Sequence, residues 1–121
     1  MKQGKAVNAY KTLCKLSNKQ LRLKTAYEIY VLKNKLKEIY DFQIEQEKKL
    51  IEEYGARFSE DGKLQFCNTE DATNFMKMIN EISELDCEIE YMPVSISSDE
   101  DIMISIDEIE NLKGFVEFRM E

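Results

Sequence analysis

The 121-residue chain is predicted to adopt an α+β fold with an N-terminal helical hairpin that contains one long helix, a small antiparallel sheet and two further short helices. Residues 24–54 contain no Gly or Pro and are followed by Gly55, a pattern typical of one long helix that ends at a glycine. Asp61-Gly62 separates two short alternating segments, which favours a β-hairpin. Later segments with apolar residues at helical spacing predict the remaining helices.

A length of 121 residues is typical of one domain. We therefore predict a single domain over 1–121, with a basic helical hairpin over 1–55 and an acidic α+β part over 56–121. A chain of this size can bury roughly two-thirds of its unfolded surface, which is enough for a modest core.

The first helix is predicted over Ala6–Leu16, where apolar residues recur at helical spacing, and Ser17-Asn18 is predicted to end it. The long helix that follows would span about 45 Å, which is more than a domain of this size needs. The first helix, the C-terminal part or a second copy of the chain must cover its far end. We predict a dimer or higher oligomer, with an interface formed by Ile29, Leu32, Leu36, Ile39 and Tyr40.

A third helix is predicted to begin at Asn68 or Thr69, with acids in its first turn, where the helix dipole favours them. Cys87–Tyr91 alternates between apolar and acidic residues, which predicts a half-buried strand. Pro93 cannot donate a ladder hydrogen bond, so the segment after it is an edge strand or leaves the sheet. The apolar stripe of the third helix is predicted to be Ala72, Phe75, Met76, Ile79, Ile82 and Leu85.

The last part of the chain is predicted to begin with a solvated acidic loop over 97–101 and a short strand over Ile102–Ile104. Ser105 and Glu108 form the capping-box pattern that starts a short final helix, and Gly114 is expected to end it. An exposed apolar tail would promote aggregation, so the C-terminal tail is predicted to fold back onto the rest of the domain. Its apolar residues are Phe115, Val116 and Phe118.

The net charge of −7 is unevenly distributed along the chain. Residues 1–37 carry ten lysines and arginines against one acid, Glu28, whereas residues 38–121 carry 23 acids and seven bases. Such asymmetry sets the sign of the surface that each region presents to a partner. Three interpretations are open: the two regions neutralise each other within one chain or across a dimer, the basic region binds a phosphate-bearing ligand, or the acidic region imitates nucleic acid on a basic partner.

Composition excludes several classes of function. The absence of His removes Ser-His-Asp and Cys-His catalytic pairs and every zinc site that uses His. The three cysteines stand alone, which favours reduced, partly buried side chains. There is no Gly-rich phosphate loop, and no apolar run approaches the roughly 20 residues that a membrane span needs. We expect no enzyme activity, no cofactor, no metal site and no membrane association.

Two groups of charged residues are candidate sites. Lys33 and Lys37 lie one helical turn apart, close to Tyr30 and Tyr40, and are candidate phosphate contacts. The alternative is that the tyrosines lie in a helix–helix seam that the lysine stems cover. Overall acidity disfavours direct nucleic-acid binding, because that affinity depends on clustered bases. A candidate acidic partner surface is formed by Glu81, Glu84, Asp86, Glu88 and Glu90.

Several short strings follow one another along nearly the whole chain: Ala9-Tyr10 with Leu13, Leu21–Ile29, Glu47–Gly55, Asp61-Gly62, Glu88–Glu90 and a terminal Ile-Asp-Glu-Ile. This layout resembles a group of small proteins encoded by phages and prophages of Gram-positive bacteria. No catalytic motif and no assigned activity belong to the group. The resemblance implies a small, non-enzymatic and oligomeric viral accessory protein that acts inside a bacterial cell.

We therefore predict an interaction protein of phage type, either a virion or assembly component or a binder of a host protein. Its expected partners are further copies of itself and another phage or host protein, in the cytoplasm of the bacterial host or in the virion. The alternative is an inhibitor of host defence. Such an inhibitor is either an acidic nucleic-acid mimic that blocks a nuclease or a sponge that sequesters a nucleotide signal.

Overall fold

The structure is a computed structural model that describes residues 1–120, and helices account for most of it. The helices are α1 (Gln3–Leu16), α2 (Leu23–Glu53), α3 (Thr69–Ser83) and α4 (Ile106–Asn111). The predicted long helix is confirmed, since α2 is unbroken over 31 residues. Gly55 follows its C-cap with a φ of 64°, the left-handed conformation that glycine adopts more easily than other residues.

The strands within residues 1–120 form two separate pairs. They are β1 (Arg57–Phe58), β2 (Leu64–Gln65), β3 (Val94–Ser97) and β4 (Val116–Arg119). The first two are antiparallel across the predicted Asp61-Gly62 turn. The last two are parallel, and α4 lies in the long connection that a parallel pair requires. The α+β class is confirmed, with a parallel pair in addition to the predicted antiparallel sheet.

Cys87–Tyr91 and Ile102–Ile104 do not form the predicted strands. Their alternation is visible in burial instead: every second residue from Cys87 packs against the core, and the two glutamates between them are exposed. Alternation reports which side faces the core, whereas a strand also needs a neighbouring backbone to pair with. Next to this segment, Asp86 forms a single isolated bridge with Lys2.

The core lies between α1, α2 and the β3–β4 pair. The predicted helical hairpin is confirmed, because α1 runs antiparallel along α2, with Gln3 at Gln43 and Tyr10 at Tyr40. The C-terminal tail folds back as predicted, and Phe115 is completely buried. The buried members of the core are Ala6, Ala9, Leu13, Leu16, Ile29, Leu32, Leu36, Val94, Ile96, Leu112, Phe115 and Val116.

The acidic loop after β3 was predicted to be solvated, and this is wrong for one residue, because Glu100 is only 9% exposed. Its carboxylate accepts a hydrogen bond from the backbone N–H of Arg22 at 3.2 Å and another from Thr25 Oγ1 at 2.8 Å. Arg22 is the N-cap of α2 and forms no side-chain cap of its own. A carboxylate at this end satisfies a free N–H group and favours the positive end of the helix dipole. Glu100 thus caps the long helix from 78 residues further along the chain.

A small buried polar cluster joins α1, α2 and α3. Gln3 Nε2 donates to Gln43 Oε1 at 3.3 Å, and Gln43 Nε2 donates to Ser83 Oγ at 3.4 Å. Gly4 lies against Ser83, where an added Cβ would come within 3.1 Å of the Ser83 Cβ. The close approach of α1 and α3 therefore favours glycine at that position. Gln43 is a polar residue among the buried residues of α2 because it occupies this junction.

Gln43→Ala is expected to lower the free energy of unfolding by about 1 kcal/mol, because it leaves the buried Gln3 amide without its partner. Urea unfolding followed by far-UV circular dichroism measures the change. Gln46→Ala is the control, since Gln46 is half-buried on the same helix. Equal losses for the two variants would mean that the hydrogen bonds of Gln43 contribute nothing specific.

Candidate interaction site

The residues of the predicted oligomer interface lie mostly in the interior of the single chain. Ile39 packs against the core, and Tyr40 stacks on Tyr10 with ring centroids 4.4 Å apart. These side chains contact their own chain and do not form an exposed apolar face. The almost completely buried members of the group are Ile29, Leu32 and Leu36.

Neighbouring elements of the same chain cover the core side of α2, and this is why length alone does not demand a second copy. A helix of 31 residues spans about 46 Å. The antiparallel α1 and strand β3 pack against it, and so does α3. Near the carboxyl end of α2, Tyr54 meets Phe75 of α3 edge-on, with ring centroids 6.4 Å apart. These short elements therefore cover the side of α2 that a second copy of the chain was expected to cover.

The opposite side of the amino-terminal part of α2 carries exposed apolar side chains. Together with one residue that precedes β3 they are named here the aromatic patch: Leu23, Tyr27, Tyr30, Val31 and Met92. Tyr27 is 64% exposed and Tyr30 is 59% exposed, and their ring centroids lie 6.3 Å apart. Every fourth residue from Leu23 falls on one stripe, which is directed away from the buried stripe of the same helix.

A groove of about 320 Å³ borders the aromatic patch, between α2 and the segment before β3. Glu28 and Lys35 are its charged lining residues. Lys35 Nζ donates to the backbone carbonyl of Glu90 at 2.7 Å, which holds the lysine beside the groove. Arg22 and Lys24 are exposed on either side of Leu23, and Glu90 is exposed two residues before Met92, so bases outnumber acids around the patch by three to two. The apolar lining residues are Tyr27, Val31, Leu32, Tyr91, Met92 and Pro93.

A second exposed surface lies on the outer side of α3. It is a shallow cavity of about 940 Å³, named here the α3 groove, whose lining includes Ala72, Met76, Lys77, Glu81, Glu84 and Leu85. Met76 is 54% exposed and Leu85 is 48% exposed. Two glutamates and one lysine line the groove, Asp86 lies beside it, and Lys2 pairs with Glu84 and Asp86, so acids outnumber bases there by three to two.

Every residue of the predicted acidic partner surface, from Glu81 to Glu90, is exposed. Lys2 forms ion pairs with Glu84 at 3.7 Å and with Asp86 at 3.5 Å. The basic and acidic parts of the chain therefore meet in the fold. Exposed pairs of this kind contribute about 0–1 kcal/mol each to stability. One lysine against five acids leaves the surface net negative. Its binding role stays a prediction.

The two predicted phosphate contacts have different neighbours. Lys37 pairs with Asp41 at 2.6 Å, and the hydrogen bond to that carboxylate raises the pKa of the lysine. Lys33 lines a cavity of about 230 Å³ together with Lys19 and Tyr30. Asp41 offsets the attraction of Lys37 for a phosphate, so the two lysines do not act as an equivalent pair. Phosphate binding stays a prediction.

Within residues 1–120, no group of three or more Cys, Asp or Glu side chains could hold a metal ion. In the same part of the chain, no helix is both long and apolar enough to cross a membrane. Burial raises the pKa of the Cys87 thiol and of the Tyr10 hydroxyl, which keeps both groups protonated at neutral pH.

The aromatic patch is absent from the sequence-based site predictions for a specific reason. The sequence-based predictions place Tyr30 beside the candidate phosphate contacts and give Leu23 and Tyr27 no role in a site. The signal that was available is the four-residue spacing of Leu23, Tyr27 and Val31, which marks a second apolar stripe. A helix with apolar stripes on two sides can bury one of them in a local hairpin and leaves the other exposed.

The fold and these surfaces define a mostly helical α+β protein whose exposed apolar surfaces include the aromatic patch and the α3 groove. No protein-family model, curated protein or solved structure gives a significant match to this chain. The residues and contacts of the chain itself are therefore the basis for a functional proposal.

Proposed function

We propose that this chain is a non-enzymatic interaction protein that acts as an assembly of several copies. The observation that carries the proposal is the aromatic patch on the outer side of α2. Its tyrosines are more than half exposed, although they stand beside two further apolar residues of the same helix. Contiguous exposed apolar surface of this kind marks a site of interaction with another protein.

The composition of the patch supports protein docking. Tyr and Met are enriched in protein interfaces, whereas single exposed apolar residues are common on any surface. Tyr27 and Tyr30 already contact each other, so little side-chain freedom is lost when a partner covers them. The patch lies on a helix rather than on a loop, which presents it in a fixed geometry.

The occupant we propose for the patch is a second copy of the same chain. The α3 groove supplies an exposed apolar surface of the opposite charge, so each copy carries both halves of an interface. Resemblance to small phage and prophage proteins supports a viral role for such an assembly, as a virion or assembly component. Binding of a host protein is the other role that the same patch would serve.

Tyr27→Glu is expected to abolish self-association, because it places a charge at the centre of the patch. Light scattering measures the weight-average molar mass from micromolar to millimolar concentration. The unchanged protein is expected to rise above the chain mass of 14.3 kDa with concentration, and the variant to remain there. Gln65→Glu is the control, since Gln65 is exposed in β2 and adds the same charge. An unchanged protein that stays monomeric throughout would contradict the proposal.

A further candidate is the acidic nucleic-acid mimic, which the exposure of all five acids from Glu81 to Glu90 supports. A mimic is expected to leave its basic partner at the ionic strength that releases DNA from that partner. Charge reversal at Glu88, which makes no ion pair within residues 1–120, would weaken a mimic. The same change would leave docking through the aromatic patch intact.

A further inference from the structure

We infer that copies of this chain join head to tail, with the aromatic patch of one copy seated in the α3 groove of the next. This inference rests on the proposed function, namely that the chain self-associates. It adds which surface meets which, and therefore the symmetry of the assembly.

The two surfaces are too far apart to cover each other within one chain. The patch is centred on Tyr27, whereas α3 meets α2 at Gln43, through Ser83, and at Tyr54, through Phe75. Sixteen residues separate Tyr27 from Gln43, which corresponds to about 24 Å along the helix. A contact between the patch and the groove must therefore join two molecules.

Charge favours the unlike pairing over a pairing of either surface with itself. Three bases, Arg22, Lys24 and Lys35, lie in or beside the patch with two acids, Glu28 and Glu90. Three acids, Glu81, Glu84 and Asp86, lie in or beside the groove with two bases, Lys77 and Lys2. Two patches face to face would bring lysines together, and two grooves would bring glutamates together. Patch on groove brings opposite charges together, which is the arrangement that stabilises an interface and selects its partner.

The apolar side chains are also complementary in kind. The patch offers tyrosine rings, and the groove offers Met76 and Leu85, which are about half exposed. A methionine sulfur gains a favourable contact from an aromatic ring, and its flexible side chain adapts to the shape of the partner. Tyr27 can bury its ring in the groove and keep its hydroxyl near the charged rim, which satisfies the polar group.

Such an interface is heterologous, because different surfaces meet. A heterologous interface leaves one free patch and one free groove at the ends of any open chain of copies, so growth continues until a ring closes or a filament forms. The predicted assembly therefore has no fixed limit of two copies. Its affinity falls as ionic strength rises, since exposed charges guide the contact.

A mixing experiment with two variants tests the pairing. Tyr27→Glu removes the patch and leaves the groove, whereas Met76→Glu removes the groove and leaves the patch. Each variant alone is expected to sediment as a single chain. An equimolar mixture is expected to form a complex of twice the chain mass and no larger, because one intact patch meets one intact groove.

The outcomes separate the two proposals. If the unchanged protein is monomeric, self-association itself fails. If the unchanged protein assembles and Met76→Glu alone still pairs, the patch binds another patch and the head-to-tail inference is overturned. If the mixture of the two variants forms no complex, the head-to-tail inference is overturned as well. Circular dichroism checks that both variants fold, and Leu85→Glu replaces Met76→Glu if the latter does not.

Discussion

Leu36→Ala is expected to lower the free energy of unfolding by about 2–5 kcal/mol, the range measured when a large buried side chain is truncated to alanine. Leu36 is completely buried, between the antiparallel α1 and the β3–β4 pair. The variant loses the transfer free energy of the removed carbons and leaves a cavity that the neighbouring helix fills only in part. Urea unfolding followed by circular dichroism gives the loss directly.

Protein concentration distinguishes a core residue from an interface residue. The loss caused by Leu36→Ala is expected to be the same at low and high protein concentration, because the chain itself covers the side chain. Glu38→Ala is the control, since Glu38 is exposed on the same helix, outside the aromatic patch, and the change is expected to alter stability by less than about 0.5 kcal/mol. A loss for Leu36→Ala that varies with concentration would restore Leu36 to the oligomer interface.

Glu100→Ala is expected to lower the free energy of unfolding by about 2–3 kcal/mol, because hydrogen bonds to charged groups stabilise a protein more than hydrogen bonds between neutral groups. The change removes the carboxylate that accepts from the Arg22 N–H and from Thr25 Oγ1. It also leaves the amino end of the 31-residue helix without this cap. Thermal unfolding and hydrogen exchange at the first turn of α2 measure the two consequences.

Asp101→Ala is the matched control, because Asp101 lies in the same loop and is exposed. It is expected to leave both readouts nearly unchanged. Glu100→Gln keeps one oxygen that can accept a hydrogen bond, so its loss is expected to fall between those of the other two variants. If Asp101→Ala lowers stability as much as Glu100→Ala, the negative charge of the loop stabilises the protein and the hydrogen bonds of Glu100 do not.

Local signals predicted the helices well. Asn68 accepts from the Asp71 N–H at the start of α3, and Ser105 and Glu108 complete the capping box of α4. These contacts span three residues, so they are formed by neighbours in the sequence and leave a readable pattern. The same holds for Gly55, whose left-handed conformation ends the long helix where the sequence predicted.

The strands and the site were harder to predict because they depend on distant neighbours. Cys87–Tyr91 has the alternation of a strand and the burial of one, yet no ladder forms there. Val94 instead pairs with Val116, which lies 22 residues further along the chain, in a parallel arrangement that no local pattern announces. The aromatic patch also depends on distant residues, because the packing of α1 and the C-terminal part on α2 decides which side of that helix stays exposed.

The sequence by itself determined the class of fold, most helix ends, the separation of charge and the buried apolar row of α2, because each depends on residues near one another in the chain. Only the tertiary structure decided that α1 and the β3–β4 pair cover the stripe of Leu36 and leave the stripe of Tyr27 exposed. It also placed Glu100 on the amino end of α2. Both outcomes are packing choices between elements far apart in the chain, and the free energy of burial, rather than local preference, selects among them.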